Sequence, residues 1–131
     1  MDINQIILLI STLAAIIFVI YLIVQHLRRK KAGEDIEQEE FKEGMRQAQV
    51  IDVREPNEFN DGHILGARNI PYTQLEYRTA ELRKDKPIYL YENGMTLANR
   101  ASLLLKNEGY KNIYRLKGGY NDWDGRIKTR K

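Results

Sequence analysis

Hydrophobic and polar positions divide this chain into one long apolar block followed by short alternating runs. Residues 6–24 read IILLISTLAAIIFVIYLIV, uncharged, with Ser11 and Thr12 interrupting an otherwise apolar run. As a helix this block is roughly 28 Å long at about 1.5 Å per residue, close to the thickness of a bilayer's hydrocarbon core. Fourteen of its residues are Leu, Ile, Val or Phe, so insertion is favoured by several kcal/mol in sum. A core helix of one small domain is rarely apolar on every face. A cleaved signal peptide carries positive charge before the run and a small-residue site after it. Here Asp2 precedes the run and QHLRRKK follows. The pattern predicts a short N-terminal end over 1–5, a membrane span over 6–24 and a charged linker over 25–35, broken near Gly33.

After the linker the runs shorten. Residues 36–45 place Ile36, Phe41 and Met45 as inward positions of a short helix, and QVIDV at 49–53 reads as a buried strand. Asp61, Gly62 and Pro71 frame a turn and strand through 67–70. Thr73 with Glu76 three positions on has the form of a capping box, predicting a helix over 74–83. Pro87 opens a strand at 88–91, and Tyr89 and Tyr91 fall on one side of it. Leu97, Ala101, Leu104 and Leu105 share a helical face that Gly109 ends, and IYRL at 113–116 reads as a further strand. Strands alternating with helices at this spacing give an α/β fold with a mostly parallel sheet covered on both faces. The tail RIKTRK reads as a solvated basic end over 126–131.

Charge places these parts. Arg28, Arg29, Lys30 and Lys31 flank the span and predict that this side stays in the cytosol, as a single-pass protein of the cell membrane with its N-terminus outside. The same four residues suit anionic lipid headgroups. Removing them from 21 Lys plus Arg leaves 17, and removing Asp2 from 18 Asp plus Glu leaves 17. From Ala32 onward the chain is thus formally neutral, which argues against nucleic acid as a partner. With no cysteine in the chain, disulfides and thiolate metal sites are excluded.

Chemistry concentrates at the end of the strand over 88–91. IYLYENGMTLANR runs from an apolar strand through a polar loop into a helix, where backbone N–H groups gather around anions. The first side chain of that loop, Glu92, is itself an anion. His63 has no neighbouring nucleophile or second ligand and reads as a structural turn residue.

The stretch DVREPNEFNDGHILGARNIP at 52–71 resembles the first signature of the rhodanese-like sulfurtransferases, and GYKNIYRLKGGYNDW at 109–123 resembles the close of the same domain. The resemblance spans roughly 36–124 and implies a domain over 36–125 built on a five-stranded parallel sheet between helices. In active members the loop begins with a cysteine that becomes a persulfide and continues through a glycine and an arginine. Ungapped matching puts Glu92 at the nucleophile's position, Met95 where the glycine is usual and Leu97 where the arginine is usual. The former active-site loop is therefore Glu92, Asn93, Gly94, Met95, Thr96 and Leu97. Asp52, Arg54, Glu58, Gly62, His63 and Gly66 are the supporting residues of the motif, with Asp52 and Arg54 expected as a structural pair.

A carboxylate cannot hold and release sulfane sulfur. It also repels an incoming anion by about 4 kcal/mol at about 4 Å and an effective dielectric near 20. The expectation is a catalytically inactive, membrane-anchored module that binds or regulates at the cytosolic face, with no catalytic residue, no metal, no cofactor and an unidentified protein partner. The rivals are a thiosulfate or persulfide sulfurtransferase, which lacks its nucleophile, and a sensor of small anions or metabolites in the former active-site loop. Glu92 itself either folds back into the nest of amides or stands in solvent.

Overall fold

The computed structural model describes residues 1–30 and 33–129, the side chains of 27–30 excepted. It falls into two compact units, residues 1–31 and 32–131. The first is a single helix, α1 (Ile3–Lys30). Its apolar window, Ile3–His26, has a mean hydropathy of 3.0 and no buried residue. That removes the core-helix reading; a helix of this length, composition and position suits a membrane anchor or a signal sequence. The helix continues through 25–30, where a connector was expected, because nothing between His26 and Lys30 breaks it. Of the basic cluster, the side chains of Arg28, Arg29 and Lys30 and all of Lys31 lie outside the described residues.

The second unit is an α/β domain. Its elements are β1 (Glu34–Ile36), α2 (Gln38–Gly44), β2 (Gln49–Asp52), α3 (Pro56–Asp61), β3 (His63–Ile64), β4 (Arg68–Asn69), α4 (Tyr72–Arg78), β5 (Ile88–Tyr91), α5 (Thr96–Asn107), β6 (Ile113–Leu116) and β7 (Ile127–Lys128), with single 3-10 turns after α2, after α4 and before β7. Five strands form one sheet in the order β1-β6-β5-β2-β4, every pair parallel. The apolar runs of β2 and β5 are explained by their place in the middle, where both faces are covered. In β5, Ile88 and Leu90 join the core under α4 and α5. Tyr89 and Tyr91 join the core on the other face with Phe41 of α2 and Leu116. The two-residue period of the strand thus feeds both cores.

Three local expectations are corrected. Ile36 ends β1, paired with Leu116, instead of opening a helix, and α2 begins at Gln38. The capping box does not form: the N-cap of α4 is Pro71, and the Thr73 hydroxyl donates to the Glu55 carboxylate at 3.1 Å. The helix starts two residues early, with Pro71 in the extended conformation of its N-cap, and α4 gives way to a 3-10 turn at Thr79–Glu81. The tail is not merely solvated, because Ile127 and Lys128 pair antiparallel with Ile64 and His63 as β7 against β3. Leu97, expected on a helical face, lies with Thr96 in the first turn of α5, so the stretch from Glu92 to Leu97 runs from the loop into the helix.

Candidate functional site

β2 and β5 are adjacent and in register, Asp52 opposite Tyr91, so the loops that follow them meet beyond the carboxyl edge of the sheet. Asp52 is fully buried and Arg54 nearly so. The Arg54 guanidinium donates from Nη2 to Asp52 Oδ2 at 2.6 Å and from Nε to both carboxylate oxygens at 3.0 Å. The Arg54 backbone N–H adds a bond to Oδ1 at 2.9 Å. Burial works against the charge on Arg54, but the hydrogen bond and charge of Asp52 outweigh it and hold its pKa above the ordinary value. Arg54 then reaches outward, donating to Gly62 O at 2.7 Å and to Asn93 Oδ1 at 3.0 Å. Its guanidinium carbon lies 4.4 Å from the centre of the Tyr120 ring, a cation–π contact.

Around this pair the loop is latched. Asn93 Nδ2 donates to Glu58 Oε2 at 2.5 Å, tying the loop to α3. Tyr120 and Asn121 donate their backbone N–H groups to Glu92 O at 2.7 Å and Asn93 O at 3.1 Å. Gly119 makes that approach possible. Its φ is +66°, and a Cβ there would lie 2.5 to 2.7 Å from the carbonyl oxygens of Glu92, Asn93 and Gly94. Gly119→Ala is expected to destabilise the domain by at least about 1 kcal/mol, read as a lowered melting midpoint; an unchanged midpoint would show that the loop is not held from this side.

Glu92 is half-buried and its carboxylate turns back toward the chain. Oε2 accepts from the backbone N–H of Leu97, and from that of Ala98 at 3.2 Å. These are among the orphan donors of the first turn of α5, whose N-cap residue, Met95, provides no side-chain bond. The acid thus caps the helix from three residues before its N-cap and sits where the helix dipole favours negative charge.

The remaining expected residues divide. Asp52, Arg54, Glu58 and Gly62 are brought to the loop. His63 is buried, stacked on Phe59 with ring centres 3.6 Å apart, its Nδ1 2.7 Å from Phe59 O; it braces α3 against β3. Gly66 takes φ +93° in the exposed turn between β3 and β4. Sequence reasoning missed Gly119 and Tyr120, although GGY stood in the closing segment that carried the resemblance. It also missed Tyr91, whose hydroxyl accepts from Ile64 N at 3.0 Å. Burial first, and the Asp52 carboxylate second, push that phenol up, so it stays neutral.

A recess of about 260 Å³ opens over the site, lined by Arg54, Glu58, Asp61, Gly62 and Tyr120. Two carboxylates therefore face it against one guanidinium already bound to Asp52. The sequence pattern of the rhodanese-like domain matches residues 37–126. The chain belongs to that family. Of curated relatives, the uncharacterized protein YqhL of Bacillus subtilis (strain 168) is 49% identical over 114 residues, covering 87% of this chain and 90% of its own. The thiosulfate sulfurtransferase GlpE of Shewanella oneidensis is 33% identical over 76 residues, covering 57% of this chain and 74% of its own. Among solved structures, the rhodanese-like domain of the Alr3790 protein from Anabaena sp. superposes with a TM-score of 0.67 at 29% identity, covering 72% of this chain and 78% of that one. The rhodanese-like domain here has a five-stranded parallel sheet, the buried Asp52–Arg54 pair, and Glu92 at the head of the loop between β5 and α5.

Proposed function

We propose that this chain is a catalytically silent rhodanese-like module, held at the cytosolic face of a membrane by α1 and acting by binding a protein partner. One observation carries the reading: the carboxylate of Glu92 occupies the amide donors at the start of α5, in a chain without a thiol. Sulfur transfer needs a thiolate to attack the donor and carry the sulfane atom. Glu58 and Asp61 at the mouth add repulsion toward thiosulfate. The same geometry speaks against the anion-sensing alternative, since the acid already fills the donors that an anion would use. Membrane attachment rests on the exposed apolar helix and on the order of charges around it, Asp2 before and the basic cluster after.

The test uses the full chain in phosphatidylcholine liposomes with thiosulfate and cyanide. Thiocyanate is expected to form no faster than in buffer; turnover above that rate overturns silence. Crosslinking in the native membrane is expected to capture a defined protein. Repeated capture of none sinks the partner-binding half of the reading, independently of the first result.

A further inference from the structure

A second opening lies away from the former active-site loop and has the opposite charge. Its volume is about 480 Å³, within the range of small-molecule sites. It runs between the α2 end of the domain and the segment after Trp123. The walls are apolar: Met45, Val50, Leu65 and Trp123. Leu65 is 45% exposed although it belongs to this wall. The Trp123 ring lies so close over Gly125 that a Cβ there would be 2.4 Å from it, which fixes the ring as a flat wall.

The polar lining is cationic, from Lys42, Arg46 and Arg126, and includes no carboxylate. Lys42 is committed to Asp124 at 2.5 Å and lies 3.6 Å from Glu39. Arg46 and Arg126 are both exposed, and among the described residues neither side chain has a carboxylate partner. Two guanidinium groups beside an apolar wall fit a ligand with a negative head and a hydrocarbon body, because the planar fork of Arg matches a carboxylate and the wall shelters methylenes from water.

We propose that this pocket binds a single-chain amphiphilic carboxylate, its head on Arg46 and Arg126 and its chain along Met45, Leu65 and Trp123. A bare anion would gain nothing from the wall. A neutral chain would leave both guanidinium groups unpaired. The site is independent of the loop at Glu92 and of whether the module is silent.

Trp123 is the only tryptophan in the chain, so it reports directly on the wall. The full chain in phosphatidylcholine liposomes is titrated with octanoate, acetate and octan-1-ol while Trp123 fluorescence is followed. Octanoate is expected to give a saturable change, with acetate and octan-1-ol weaker by about tenfold or more. The double variant Arg46→Gln/Arg126→Gln should weaken octanoate by about tenfold or more without lowering the melting midpoint, since both residues are exposed. Octan-1-ol binding as tightly as octanoate, or undiminished octanoate binding in the variant, overturns the proposal. A saturable response to an aspartate-rich peptide with none to octanoate overturns it in favour of an acidic protein segment.

Discussion

Arg54→Met is expected to lower the stability of the domain by about 3–5 kcal/mol, the largest loss available from one side chain outside the apolar core. Asp52 has no exposed surface, and three of the contacts that satisfy its carboxylate come from the Arg54 guanidinium. Without them the buried carboxylate keeps the Arg54 backbone N–H and the neutral Tyr91 phenol beside it, neither of which balances its charge, and it must either take up a proton or admit water. Gly62 O and Asn93 Oδ1 lose their donors at the same stroke. For a domain whose total stability lies at about 5–15 kcal/mol, the loss is about a fifth at the least and the whole at the most. Urea unfolding of the liposome-held chain, followed through Trp123, measures it. Adding Asp52→Asn should recover part of the loss, because the buried charge is then gone. A single-variant loss below about 1 kcal/mol would mean that water reaches the pair and that it behaves as a surface salt bridge.

The same pair shows how the sequence speaks and where it falls silent. Asp52 and Arg54 were legible as partners through the resemblance of 52–71 to the first signature of the rhodanese-like family, and their places at the end of β2 and in the loop after it keep them close. β5 was legible to the residue because four apolar positions stand between Pro87 and a polar loop, and a central strand covered on both faces needs just that pattern. The two-residue strands β3 and β7 were not legible. Each is too short to show alternation, and their pairing joins residues more than sixty positions apart. The start of α4 was misplaced because Thr73 and Glu76 have the spacing of a capping box while the backbone obeys Pro71. Asn93 reads as an ordinary loop residue, yet its amide bridges Arg54 and Glu58; such a bridge exists only once three separate segments have folded together.

The loop at Glu92 is therefore held from three directions: by Asn93 toward α3, by the amides of Tyr120 and Asn121 at its carbonyls, and by its own first side chain toward α5. The cap provides about 1 kcal/mol, and it places the acid on the donors that would otherwise face an anionic ligand. One contact thus both steadies the helix and fills the amide donors at the head of the site.

Glu92→Cys separates those two roles. The new thiol would stand beside the N–H groups of Leu97 and Ala98, the donors that now bind the carboxylate, and a helix N-terminus lowers a thiol's pKa below its free value of about 8.5. Asn107→Cys, at the opposite end of α5, provides the comparison, because the helix dipole there disfavours a thiolate. Iodoacetamide alkylation followed against pH is expected to place the midpoint for Cys at 92 about one unit or more below that for Cys at 107; equal midpoints would show that the amides do not act on this position. Thiosulfate-to-cyanide turnover is expected to stay within about tenfold of buffer, because Leu97 provides no positive charge and Glu58 and Asp61 still face the mouth. Turnover well above that level would place the whole of the silencing on one carboxylate, and the neighbouring changes at Met95 and Leu97 would carry none of it.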